Sequence, residues 1–133
     1  MNAHPHGDLP VCVATVLCDQ VIEDVRSHNK SAIGIFNAIQ TQQLPATHPR
    51  MFAMVSLTNV AGTAEVTMVL RSPSGNAVVN LEGKIEHGEP LATYDLVIEL
   101  VGIPIEEEGV YFLDVMNGQN HLGGRRFTVV VQK

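Results

Sequence analysis

The sequence predicts an all-β fold, an antiparallel, immunoglobulin-like β-sandwich of about eight or nine strands. Short runs rich in Val and other β-branched residues alternate apolar and polar side chains, which is typical of strands with one buried face. Clusters of Gly, Pro, Asn and Ser interrupt these runs at regular spacing, and no segment carries a sustained helical stripe. The closing segment, residues 106–131, is the clearest case, because an Asn-Gly turn joins two such runs.

The first strand is predicted from Val11, where the chain is apolar on both faces as far as Cys18 and then continues with a more polar outer side. A short helical turn near residues 19–26 is the alternative for the continuation. Residues 27–30, Ser-His-Asn-Lys, favour a turn because Ser and Asn side chains bond the local backbone. Residues 31–37 return as the partner strand, in which we expect Gly34 to have a structural role.

Residues 40–50 are predicted to be a crossing loop. Pro45 and Pro49 remove backbone donors, which argues against a central strand or a helix interior at this point. Further strands are predicted at residues 51–58, 64–71, 77–86 and 91–101, each with one apolar face and each followed by a turn signal.

The closing hairpin is interpreted as scaffold. Gly109 and Gly118 are expected to be structural, as turn residues before and within the hairpin. Tyr111 is predicted to take the corner position of the sandwich, with its hydroxyl bonding a backbone group in the turn before it. The glycine pair 123–124 predicts a bend or bulge in the last strand.

One domain is expected, since 133 residues can bury a single sizeable core. Residues 1–9 are predicted to be a flexible N-terminal tail and residues 10–133 a single β-sandwich domain. The tail contains no Lys or Arg ahead of the apolar run at Val11, so a secretory signal is not predicted. We expect a cytoplasmic protein.

The formal net charge of −6 gives no basic footprint for phosphates, so neither nucleic acid nor an anionic membrane is an expected partner. Cys12 and Cys18 lie on one strand, about 20 Å apart at ~3.3 Å per residue, too far to form a disulfide with each other. We expect both thiols to be buried, reduced and inert.

No motif for phosphate binding, dinucleotide binding or nucleophilic catalysis is present, so no catalytic residue, no cofactor and no enzymatic activity is predicted. His4 and His6 form a His-x-His pair in the tail. If Met1 were removed, residues 2–4 could hold copper or nickel through the α-amine, two amides and the imidazole of His4, but stray tail histidines are the favoured interpretation, and no metal site is predicted. Trp is absent and aromatic residues make up 5%, which weakens a carbohydrate-binding interpretation.

Three segments, residues 17–24 (Leu-Cys-Asp-Gln-Val-Ile-Glu-Asp), 31–36 (Ser-Ala-Ile-Gly-Ile-Phe) and 44–51 (Leu-Pro-Ala-Thr-His-Pro-Arg-Met), together with a Gly-x-Tyr and a Phe-x-Val near the end, resemble a family of small bacterial proteins of unknown function. The resemblance covers nearly the whole chain from Val11. The chain departs from it at residues 27–29, where a Gly-Lys type of turn would be expected. The resemblance implies a β-sandwich of bacterial or phage origin and brings no activity with it.

His48, Pro49 and Arg50 form the one candidate binding feature. A rigid proline loop would present His48 and Arg50 together to a ligand. The favoured alternative is a conformational lock at a sandwich crossing, with Pro49 structural and Arg50 bonded to a carboxylate or to carbonyls.

Fold and composition together favour a non-enzymatic protein-interaction or assembly module, with a protein partner or self-association through an exposed strand edge. A small-ligand or carbohydrate-binding sandwich is the alternative, and a hydrolase comes third. A deep pocket lined by His48, Arg50 and a carboxylate would favour either alternative.

Overall fold

The alternation of apolar and polar residues produces nine strands in the part of the chain, residues 9–132, that the computed structural model describes. In chain order they are β1 (Val11–Glu23), β2 (Lys30–Ile35), β3 (Ala38–Thr41), β4 (Ala46–Thr58), β5 (Gly62–Arg71), β6 (Ala77–Gly88), β7 (Tyr94–Ile105), β8 (Gly109–Asn117) and β9 (Asn120–Val131). The predicted tail, apart from its last residue, and Lys133 lie outside the described residues.

The strands form two sheets, as the sequence predicted. One sheet has four strands in the order β2-β1-β4-β7, and the other has five in the order β3-β9-β8-β5-β6. All pairs are antiparallel except β3 with β9, which run parallel. The prediction of antiparallel pairing therefore needs one correction, at β3, a short strand whose last two residues were predicted to lie in a loop.

The core fills the space between the two sheets. Tyr111 and Phe127, directly opposite each other on β8 and β9, are both 1% exposed, and their rings stack with centroids 5.3 Å apart. Around them lie aliphatic side chains from both sheets, such as Leu17, Met51 and Val66. Removing a buried aromatic ring of this kind costs about 3–5 kcal/mol of folding free energy, so this pair contributes much of the sandwich's stability.

The predicted crossing loop at residues 40–50 is wrong over most of its length. Ala38–Thr41 forms β3, and β4 begins at Ala46, so Pro49 and Arg50 lie inside a strand. β1 pairs with β4 only as far as Phe52, which leaves the first residues of β4 with β7 as their sole neighbour. Because this part of β4 has a free side, Pro49 removes no ladder hydrogen bond that a second neighbour would need.

The helical alternative for residues 19–26 is also wrong. Residues 20–23 of β1 pair in antiparallel register with residues 30–33 of β2. Beyond Cys18 the two strands no longer lie against β4, and they continue as a two-stranded ribbon, which we call the β1–β2 arm (residues 19–33). Asp24 turns the chain at the tip, where its carboxylate accepts hydrogen bonds from the backbone N–H groups of Arg26 and Ser27.

Two glycines predicted to be structural have the backbone conformation that favours glycine. Gly34 has a φ of 73°, and a Cβ there would overlap the side chain of Asp19 on the neighbouring strand. Gly118 has a φ of 60° in the turn of the closing hairpin. Both positions take left-handed backbone angles that a side chain disfavours.

Candidate functional site

His48 sits at the start of β4 with a half-buried ring. Its ring centroid lies 6.3 Å from that of Phe36, and a small pocket of about 150 Å³ beside it is lined by β3, Thr47 and Pro49. Burial lowers the pKa of His48, although the negative charge of Asp19 and the backbone of Arg50 act in the opposite direction. Its Nε2 atom is buried and has no hydrogen-bond partner among the described residues.

Arg50 lies two residues along the strand and is exposed. Its Nε atom is 3.3 Å from a carboxylate oxygen of Glu99 on β7. His48 and Arg50 therefore have different neighbours, an aromatic ring for one and a surface carboxylate for the other. The ion pair is the kind of contact that the conformational-lock alternative expects, and a binding role for the two residues stays a prediction.

A second feature was not identified from the sequence. A groove of about 440 Å³ runs over the outward face of β8 and β9 and is lined by Phe112, Asp114, His121, Gly124, Arg125 and Arg126. We call it the β8–β9 groove. Phe112 and Arg126 are directly opposite each other in the strand register, so their side chains share this face. Phe112 is 44% exposed, which is high for a phenylalanine in the centre of a sheet.

The charges in the groove are unequally paired. The carboxylate of Asp114 lies 3.2 Å from Nε of Arg71 and 3.0 Å from Nε2 of His121. Arg125 donates across the sandwich edge to the carbonyl of Thr15. Arg126, by contrast, makes no side-chain hydrogen bond or ion pair to any other residue between 9 and 132. The groove therefore holds one unpaired guanidinium beside an exposed phenyl ring.

The sequence contained a signal for this groove. With Tyr111 at the corner position and buried, strict alternation along β8 points Phe112 outward. The prediction that the closing hairpin is scaffold did not include this groove. The pairing of Arg126 with Phe112 depends on the bulge at Leu122, which shifts the β8–β9 register between Val115 and Met116.

The third feature is the free edge of β2. β2 pairs with β1 on one side, and no strand in the described part of the chain pairs with the other. Its residues after Lys30 are Ser-Ala-Ile-Gly-Ile, without a charge or a proline. Ile33 and Ile35 are 45% and 55% exposed, and Ile22, across from Ser31 on β1, is 45% exposed. An apolar edge of this type is a template for pairing with another chain.

The other three sheet edges carry features that discourage such pairing. β7 contains Asp95, Glu99 and Pro104, and all three are exposed. β6 carries three charged side chains, Glu82, Lys84 and Glu86, and all three are exposed. β3 has only four residues. Short length, charge and proline are the usual protections of natural edges, and β2 lacks all of them except Lys30 at its start.

Between residues 9 and 132 no three His, Cys, Asp or Glu side chains converge as metal ligands. His4 and His6 lie outside that range. Cys18 is buried and Cys12 half-buried, so the expected burial is complete for one thiol only, and both are unpaired. Burial raises the pKa of Cys18, which disfavours a thiolate there.

Within residues 9–132, no helix has the length and apolar character to cross a membrane.

These observations define an immunoglobulin-like β-sandwich with an unprotected strand edge and a groove that holds an unpaired arginine. The chain belongs to the Family of unknown function (DUF6941), whose model matches residues 13–130. This confirms the resemblance seen in the sequence to a family of unknown function. No curated protein shows significant similarity to the chain.

Solved structures similar to this chain include an immunoglobulin-like protein, PA1606, from Pseudomonas aeruginosa. It is 16% identical, the match covers 93% of this chain and 98% of that one, and the TM-score is 0.49. A β-glucosidase from Kluyveromyces marxianus is also 16% identical, with 71% of this chain and 14% of that chain covered and a TM-score of 0.43.

Proposed function

We propose that the protein is a non-enzymatic interaction and assembly module that pairs with a second copy of itself through β2. The observation that supports this proposal best is the edge of β2, which has five uncharged, proline-free residues and exposes two isoleucines, whereas the other uncharged edge, β3, has only four residues. Backbone groups on the outer side of a strand offer a row of hydrogen bonds, and β-strand addition uses them directly.

The β1–β2 arm adds a reason for a partner. A two-stranded ribbon is marginally stable in water unless further strands or a helix cover an apolar face. Ile22 and Ile33 give the arm such a face, Ile35 lies just beyond its base, and Val25 at its tip is 89% exposed. Covering this face with another copy would stabilise the arm and remove apolar surface from water.

A two-fold axis through the middle of β2 would place two copies of the strand antiparallel to each other. The two four-stranded sheets would then join into one continuous sheet across the interface. Such an interface is self-complementary, since each copy contributes the same residues. Gly34 bends β2 near its end, so residues 30–33 form the straight part available for pairing.

Light scattering coupled to size-exclusion chromatography tests the proposal over a wide range of protein concentration. We expect the full chain to form a dimer, and we expect Ile33→Lys to shift it towards monomer. Val97→Lys, on the charged edge at β7, is the matched control and should leave the dimer intact. A wild-type chain that stays monomeric at the highest concentration would contradict the assembly proposal.

The alternative of a small-ligand binder receives less support. The pocket beside His48 has a volume of about 150 Å³, and its lining includes neither Arg50 nor a carboxylate. Pockets for small molecules typically enclose about 300–1,000 Å³. A deep pocket lined by His48, Arg50 and a carboxylate, which would favour a ligand binder or a hydrolase, is therefore not seen at these residues.

A further inference from the structure

The β8–β9 groove belongs to the five-stranded sheet and shares no strand with the β2 edge. It is therefore independent of the proposed assembly surface. We propose that this groove binds an acidic, extended segment of another protein, in which an apolar residue stands two positions from a carboxylate.

The first argument is the state of Arg126. A guanidinium has five donors in a planar fork that matches a carboxylate, and Arg126 uses none of them within residues 9–132. Its sequence neighbour Arg125 has a side-chain partner in Asn37, 2.9 Å from its Nη2 atom. The side chain of Arg125 is therefore held by contacts within the fold, and that of Arg126 is available to a ligand.

The second argument is the apolar surface next to that charge. Phe112 lies across from Arg126, and Val110 and Val130, each 40% exposed, continue the same outward face. An extended peptide presents alternate side chains to one side, so an apolar residue could cover Phe112 while a carboxylate two residues away reaches Arg126. Covering the ring would exclude water from the ion pair and strengthen it.

The third argument is electrostatic contrast. The chain carries a net charge of −6. In the groove, however, the carboxylate of Asp114 already forms an ion pair with Arg71, and the guanidinium of Arg126 has no such partner within residues 9–132. A local positive site on an acidic protein attracts a ligand with one or two negative charges and repels a polyanion such as nucleic acid. An acidic peptide fits this pattern.

The test is an NMR titration of the full chain, labelled with ¹⁵N, with a short capped peptide in which Glu stands two residues after Leu, so that both side chains lie on one side of the extended peptide. We expect shifts at the amides of Phe112, Asp114 and Arg126. A peptide with Gln in place of Glu should bind about tenfold more weakly, the size of effect expected for a hydrogen bond to a charged group. Added salt should weaken binding of the Glu peptide.

Two arginine variants complete the experiment. Arg126→Gln should lose about tenfold in affinity for the Glu peptide. Arg26→Gln is the matched control, because Arg26 is also exposed, its side chain makes no hydrogen bond or ion pair within residues 9–132, and the same charge is removed at the β1–β2 arm. Absence of shifts, shifts confined to β2, equal binding by Arg126→Gln, or tighter binding of an oligonucleotide than of the Glu peptide would each overturn the proposal.

Discussion

The hydroxyl of Tyr111 closes the turn that precedes β8 by bonding the backbone of Glu107 twice. It donates to the carbonyl of Glu107 at 2.8 Å and accepts from the N–H of the same residue at 3.3 Å. The predicted corner position of Tyr111 is thus seen in the structure. One side chain both fills the core against Phe127 and fixes the start of the closing hairpin.

Tyr111→Phe should lower the free energy of unfolding by about 1–3 kcal/mol, because it leaves two backbone groups without their partner and keeps the ring. Chemical denaturation would measure the change. Tyr94→Phe is the control, since the hydroxyl of Tyr94 accepts one hydrogen bond, from the N–H of Glu89, at an exposed turn. Equal losses in the two variants would contradict the corner role.

The same buried hydroxyl predicts sensitivity to alkali. Burial raises the pKa of Tyr111 above its ordinary value, so the folded protein holds this proton more tightly than the unfolded chain. Its contribution to stability is complete below the unfolded pKa, near 10, and is lost as the pH rises through the folded value. Denaturation midpoints measured on both sides of pH 10 should fall more steeply for the wild type than for Tyr111→Phe.

His48 predicts a pH effect at the acid end. Its pKa is lowered, so the unfolded chain binds this proton more readily than the folded one. The stability it contributes is complete above the unfolded pKa, about 6.5, and is lost as the pH falls through the folded value. His48→Gln should flatten this part of the stability profile, and His87→Gln, at an exposed position near the end of β6, is the matched control. An unchanged profile in His48→Gln would contradict the prediction.

How far the sequence predicts this molecule depends on which interactions decide each part. The inward alternation at Val66, Met68 and Leu70 is a local property, and the structure buries all three. Pro49 lies in a strand and not in the predicted loop, because its place depends on where β1 stops pairing with β4, which is a relation between distant segments. The β8–β9 groove was not predicted for the same reason, because a one-residue bulge in β9 determines which side chain lies across from Phe112. A period-two pattern predicts which face of a strand is buried. The register between two strands depends on how distant segments pair, so it is known only from the folded structure.

Gly124 tests the close packing of the closing hairpin. A Cβ at this position would overlap the carbonyl oxygen of Leu113, a backbone atom that cannot rotate away. Gly124→Ala should therefore destabilise the protein by about 1–3 kcal/mol through backbone displacement. Gly83→Ala is the control, because the nearest atom to its added methyl group is 4.0 Å away, and it should be neutral or stabilising by up to about 1 kcal/mol. Thermal or denaturant unfolding of both variants gives the comparison.

Mutation of Arg125 should lower the free energy of unfolding, whereas mutation of its neighbour Arg126 should leave it nearly unchanged, because the two side chains lie on opposite faces of the sheet. Arg125 is opposite the buried Leu113 and donates to the carbonyl of Thr15 at 3.2 Å, so it ties β9 to the other sheet. Arg125→Leu should cost about 1.5–3 kcal/mol, the usual contribution of hydrogen bonds to a charged group. Arg126→Gln should change stability by less than about 0.5 kcal/mol, as expected for a surface substitution without a partner. If denaturant unfolding showed a large loss for Arg126→Gln, this residue would have a structural partner, and its availability to a ligand in the β8–β9 groove would be disproved.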